Sequence, residues 1–246
     1  MPGKMTLDQI LASLFPAGHS VGVTDGLITG EGPFGGGRLV VVGLDGDTPL
    51  GVEGALVLSR AVLDAIKAGE SAGSRAPILV AVDSDSQRMS RRDELLGLYE
   101  CLAHLAKTLL LADRLGHPTV GLIYGHSAAG AFIATALATR VLAALPGAHP
   151  SVMDLPSVAR VTKLPLDRLE AMATSTPVFA PGLDNMVATG AVHAVLDPAQ
   201  PLDGQLSALI ADLPAGDIRD RLGRARGGRP VAQAIAERVV RQARGG

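Results

Sequence analysis

Residues Thr119 to Leu145, TVGLIYGHSAAGAFIATALATRVLAAL, constrain this chain more than any other stretch. Val120–Tyr124 is a short apolar run of strand type, and Gly125-His126-Ser127-Ala128-Ala129-Gly130 is a turn of small residues. Phe132, Ile133, Ala136, Leu137 and Val141 then recur at three- and four-residue spacing, which predicts a helix. A strand feeding a helix through Gly, Ser and Ala aims several backbone N–H groups at one point. With the positive end of the helix dipole they can hold a carboxylate, a phosphate or an oxyanion. Small side chains keep that backbone reachable. Three readings stay open on these residues alone. One is close strand–helix packing. Another is a G-x-S-x-G nucleophile elbow on Ser127, in which Ala129 stands where the second glycine belongs. The third is an oxyanion hole of backbone amides with no covalent nucleophile.

The bulk composition narrows the class. A length of 246 residues allows a substantial core in one large domain or two small ones. A net charge of −2 gives no basic field for nucleic acid. The absence of Trp, with two Tyr and four Phe, speaks against base- or sugar-stacking platforms. The single cysteine, Cys101, excludes an internal disulfide or a cysteine-built zinc site, and its neighbours Leu98, Leu102 and Leu105 suggest a buried core thiol. No secretory signal is visible. Residues 119–139 lack full charges, but Gly125–Gly130 interrupts them and Arg140 follows, so a cytoplasmic protein with no membrane span is expected.

Along the chain, Thr6-Leu7-Asp8-Gln9 reads as a capping box for a helix that Pro16 stops. Strands are expected at Val21–Val23 and Leu39–Leu44. The loop between them, Gly30–Gly37, has five glycines in eight residues and reads as a hairpin loop or, alternatively, a phosphate cradle. A helix is expected over Val52–Lys67, with Gly69–Gly73 a connector. Pro77–Val82 is a continuous apolar run of the kind a doubly covered parallel strand has, and it ends in the polar loop Asp83-Ser84-Asp85-Ser86-Gln87. Ser90-Arg91-Arg92-Asp93 caps a helix with Leu95, Leu98, Leu102, Leu105 and Leu109 as its core stripe. This alternation predicts an α/β fold of crossover units. Further on, His149–Asp154 reads as a short strand entering a helix, about Leu166–Ala173 and Leu202–Leu213 as helices, and Thr189–Leu196 as a strand. The tail Arg219–Gly246 has eight arginines against Asp220 and Glu237. It is a solvated helix or a docking surface for an acidic partner.

These residues, in this order, resemble the carboxyltransferase subunits of acyl-CoA carboxylases. The likeness runs through Gly51-Val52-Glu53-Gly54, Val82-Asp83-Ser84-Asp85, Arg114-Leu115-Gly116-His117-Pro118, the turn closing in Gly130-Ala131-Phe132, and Gly190–Val195. Within that group the chain is similar to the gamma subunits of biotin-independent malonate decarboxylases, through the blocks 73–92, 114–139 and 176–198. The resemblance implies a single crotonase-like ββα superhelical domain over 1–246, with 219–246 as a helical tail. It implies a heterodimer with a beta subunit, sharing an active site that converts a malonyl-S-acyl-carrier protein to the acetyl thioester and CO2. The partners would be that beta subunit, the acyl-carrier subunit with its phosphoribosyl-dephospho-CoA arm, and an acyltransferase subunit. No cofactor or metal would be bound directly. Asp154-Leu155-Pro156-Ser157 replaces the Pro-Glu-Gly stretch of the biotin-dependent relatives, and the turn is richer in Ala, so no biotin is expected.

Decarboxylation of a malonyl thioester pushes electrons into the thioester carbonyl and needs no nucleophile, only donors for the enolate oxygen. The expected donors are the backbone amides of Ala128, Ala129 and Gly130, with Gly125, His126 and Ser127 shaping the turn. His126, His149 or water would return the proton to carbon, although each imidazole reads first as an ordinary polar histidine. Arg88, Arg91 and Arg92 could hold an anion or simply solvate a helix start. Two alternatives are kept: a structural partner that buttresses a catalytic beta subunit, and a serine hydrolase using Ser127.

Overall fold

The computed structural model describes residues 4–177 and 180–245. Residues 1–3, Val178 and Phe179 of the 176–198 block, and Gly246 at the end of the tail lie outside the described residues. In chain order the elements are α1 (Leu7–Leu14), β1 (Gly22–Thr24), β2 (Leu27–Phe34), β3 (Gly37–Leu44), α2 (Val52–Ala72), β4 (Ile78–Ser84), α3 (Arg91–Leu95) and α4 (Leu98–Arg114). There follow β5 (Thr119–Ala128), α5 (Ala129–Ala134), a 3₁₀ turn at Ala136–Ala138, β6 (Val141–Ala144), β7 (His149–Ser151), α6 (Leu155–Thr162), α7 (Leu166–Ser175) and α8 (Leu183–Ala188). The chain closes with β8 (Ala194–Val195), α9 (Leu202–Ala211), α10 (Arg219–Ala225) and α11 (Ala232–Ala243).

One sheet in the order β1-β2-β3-β4-β5-β6-β8 carries the architecture. β1–β3 form an antiparallel meander, the later pairings are parallel, and β7 pairs with the far end of β5. The apolar run at β4 is buried on both faces, because alternate residues enter different cores. Ile78, Val80 and Val82 pack with α2, α4 and α5. Leu79 and Ala81 pack with α1, α9 and Tyr124.

Several local expectations change. Most of the glycine-rich loop Gly30–Gly37 is strand, with only Gly35 and Gly36 left between β2 and β3. Gly32 lies under the Phe15 ring, which a Cβ there would approach to 2.5 Å. α2 runs through the expected connector to Ala72, with Gly69 buried against His117. The helix expected to reach Leu145 stops at Ala134. Thr135 leaves helical geometry (φ −113°, ψ −93°), and the Thr139 hydroxyl bonds Ala136 O at 2.7 Å. Val141–Ala144 is a buried strand whose alanines fit a helical spacing equally well. Gly97 (φ 80°) splits the helix after Ser90 in two, leaving Leu95 76% exposed rather than in the core stripe. Cys101 is half-buried against the core. Only Ala194–Val195 of the expected strand Thr189–Leu196 pairs, and α8 precedes it.

The start of α2 needs an outside cap, because Gly51 offers no side chain. Asp93 supplies it: Val52 N donates to Asp93 Oδ1 at 2.8 Å, and the Ser90 hydroxyl donates to Oδ2. The Ser90 bond first, then the Val52 amide, hold the buried Asp93 carboxyl below its usual range. A carboxyl lowered in the folded state stabilises above its unfolded value of about 3.9, and that stabilisation is lost as pH falls through the folded value. Asp93→Ala is therefore expected to cost about 1–2 kcal/mol at neutral pH. Its deficit relative to wild type should shrink as the pH drops into the acid range, which urea unfolding at the two pH values measures.

Candidate functional site

The candidate site sits where β3, β4 and β5 end, the edge at which open α/β sheets hold ligands. Its shape comes from a change of register. Val82 pairs with Ile123 and Ser84 with Ser127, so β5 spends four residues where β4 spends two. Such bulges bend a strand and re-aim its side chains. The Asp83 carboxylate fills the bend, accepting from His126 N at 2.8 Å and Lys4 Nζ at 2.7 Å. Gly125 is where that carboxylate meets the backbone, since a Cβ there would lie 1.9 Å from Asp83 Oδ1. The Gly125 expected to shape a turn thus belongs to a strand, and its open space is taken by Asp83 rather than left for a ligand. Beside it the Tyr124 hydroxyl donates to Asp45 Oδ1 at 2.7 Å. Burial first, then Asp45, push the phenol far up, so it stays protonated.

β5 continues to Ala128, which remains extended (φ −127°, ψ 153°), so the expected turn begins only at Ala129. Ala129 adopts φ 50°, a left-handed conformation that is costly for a residue with a Cβ. This single kink turns the chain from strand into α5. Ala128, Ala129 and Gly130 are all half-exposed. The first N–H groups of α5 have no carbonyl one turn back to bond. One of them is engaged from outside the helix, because Gly130 N donates to Gln87 Oε1 at 2.7 Å. Gln87 was not singled out in the sequence. Its only signal was its place in the polar run closing β4.

Ser127 is fully buried, with its hydroxyl unpartnered among the described residues. Among the described residues no base reaches it: His126, on the opposite face of the strand, places Nδ1 2.9 Å from Asp47 Oδ1. That geometry is unlike a nucleophile–base pair. The two candidate histidines do come together. His126 pairs with His149 across β5 and β7, their rings edge to face with centroids 5.8 Å apart. Both are exposed, on the face that Ala128 shares. Arg88 and Arg92 instead turn to Glu53 on α2. Among the described residues no cluster of His, Cys, Asp and Glu has metal-binding geometry. No helix among them is long and apolar enough to cross a membrane.

A cavity of about 380 Å³ opens beside the bend, lined by Lys4, Asp45, Asp83 and Tyr124. Another of about 630 Å³, lined by Phe34, Arg38, Arg75 and Ile210, lies at the opposite ends of β3 and β4 and has no part in this arrangement.

Known proteins share this organisation. The curated malonyl-S-ACP:biotin-protein carboxyltransferase of Malonomonas rubra is 28% identical over 212 residues, covering 78% of this chain and 72% of that protein. A Pseudomonas malonate decarboxylase hetero-tetramer solved with coenzyme A superimposes with a TM-score of 0.80 at 25% identity, over 96% of this chain and 98% of the other. The Pseudomonas MdcD–MdcE hetero-dimer gives 0.75 at 26% identity, over 96% and 99%. Transcarboxylase 12S, at 15% identity and a TM-score of 0.68 over 87% of this chain and 42% of the other, shares the fold alone, and the expected crotonase-like α/β class is thereby met. The model of the malonate decarboxylase gamma subunit matches residues 46–243, from the end of β3 to the last turn of α11, and the chain belongs to that family.

Proposed function

We propose that this chain forms a cytoplasmic heterodimer with a malonate decarboxylase beta subunit, acting as one crotonase-like domain, and converts malonyl-S-carrier to acetyl-S-carrier and CO2. The observation that carries the assignment is the kinked strand end Ala128–Gly130, half-exposed at the sheet edge of a chain from this family and turned by Ala129 at φ 50°. Breaking the bond between the carboxylate carbon and the methylene releases CO2 and sends the electron pair into the thioester carbonyl. The resulting enolate oxygen is met by the amides of the Ala128–Gly130 kink as their resting partners yield, since Ala128 pairs with Ser151 of β7 and Gly130 N donates to Gln87. Donors aimed at the point where charge appears contribute on the order of 3 kcal/mol each to the transition state. The enolate carbon then takes one proton, from His126, His149 or water. His126 Nδ1 lies 2.9 Å from Asp47 Oδ1, which orients its ring.

The thioester arrives on the phosphoribosyl-dephospho-CoA arm of an acyl-carrier subunit, and an acyltransferase subunit reloads it. Unlike the Malonomonas relative, named for transfer to a biotin protein, this chain releases its carboxyl group as CO2 without biotin. The buried, unpaired Ser127 argues against a serine hydrolase.

Four measurements on the reconstituted complex test this. Ser127→Ala is expected to stay within a few-fold of wild-type kcat, whereas a loss above about a thousandfold restores the nucleophile. Ala129→Gly relieves the positive φ and should retain activity. Ala129→Val, whose branched Cβ resists that conformation, should lower kcat by on the order of a hundredfold, while a pure scaffold would tolerate it once assembly is confirmed. Avidin should leave CO2 release unchanged.

A further inference from the structure

The C-terminal segment divides its arginines into two sets. Arg219 donates to Thr139 O at 2.7 Å, and Arg226 donates to Val187, Val192 and His193 carbonyls at 2.7–2.9 Å. These inward bonds fix α10 against α8 and the strand-end loop before β8. α11 touches α10 through Gln233, whose Oε1 accepts from Arg224 Nη1 at 3.4 Å while its Nε2 donates to Glu237 at 2.8 Å. Val231, Ile235 and Val239, at four-residue spacing, point to solvent and are 63%, 48% and 55% exposed. No residue of α11 is buried. Helical geometry places Arg238 and Arg241 along one border of this stripe. Among the described residues neither they nor Arg244 make an ion pair.

We propose that this outward face of α11 is the docking surface for the acyl-carrier protein that brings the malonyl thioester, recognised through an acidic surface with an apolar centre. The proposal rests on the decarboxylase reading above. A carrier must arrive loaded and leave unloaded in every turnover. Arginines steer such an encounter, and three aliphatic side chains give it a modest hold. A permanent subunit interface is larger and has a centre depleted in charge. At α11 and its C-terminal end Arg238, Arg241 and Arg244 outnumber Glu237, which sets the sign of the partner.

Two surface variants test it in the assembled complex: Arg238→Glu with Arg241→Glu, and separately Ile235→Ser. Affinity for purified malonyl-loaded carrier is measured at low and at physiological salt, beside CO2 release from malonyl-carrier and from malonyl-CoA, which has no carrier protein. The charge reversal is expected to weaken carrier binding and raise KM for malonyl-carrier at least about tenfold at low salt. Ile235→Ser should do so at both salts. Turnover of malonyl-CoA and assembly with the beta subunit should stay unchanged. Carrier affinity within twofold of wild type in both variants overturns the proposal. So does loss of the beta subunit, or a change in the self-association of this chain, because the stripe then belongs to that contact. If wild type binds carrier through α11 yet releases no CO2 from either substrate, the decarboxylase reading fails while the docking surface stands.

Discussion

A carboxylate held against bare backbone sets the geometry of the sheet edge. Asp83 closes β4, and its oxygen takes the place of a side chain at Gly125 while accepting the His126 amide. That contact occupies the bend where β5 gains two residues on β4. Everything downstream inherits its direction: the extension of β5 to Ala128, its pairing with β7, and the kink at Ala129. A buried or half-buried carboxylate without such partners would be costly. Here two donors meet it, Lys4 from the N-terminal segment and the strand amide. The N-terminal segment therefore helps to shape an edge that lies far from it in sequence.

The sheet and its two cores were legible because their signals are redundant. Pro77–Val82 had no polar residue to permit an exposed face, and the Thr6 capping box marked the first residue of α1. Legibility failed where one pattern serves two structures. Phe132 to Val141 has helical spacing, yet an Ala- and Val-rich strand buried on both sides has no alternation to betray it. The glycines of β2 looked like a loop because their purpose, room for Phe15, is a contact between distant segments. At the site, the cluster of small residues and the two histidines were visible as types. Their relation was not, since the pairing of His126 with His149 depends on β7 folding back onto β5. Gln87 was visible only as part of a polar run, for the same reason: its contact exists because a loop after β4 meets the start of α5.

The two ends of the chain treat charge in opposite ways. Near the sheet edge, polar and charged groups are paired locally: Asp83 with Lys4, Asp47 with His126, and Glu53 with Arg92. In the tail, Arg219 and Arg226 spend their donors on loop carbonyls, which binds α10 to the body more firmly than exposed ion pairs do. The remaining arginines of α11 have no such duty.

The Gln87–Gly130 contact bears on selectivity. At rest the Gly130 amide already holds a neutral carboxamide oxygen, so an arriving acceptor gains only the difference between two hydrogen bonds. Swapping one neutral carbonyl for another yields almost nothing. An oxygen carrying growing negative charge binds an N–H roughly twice as strongly. A self-satisfied donor of this kind ignores uncharged visitors and rewards an acceptor chiefly at the moment its electrons shift.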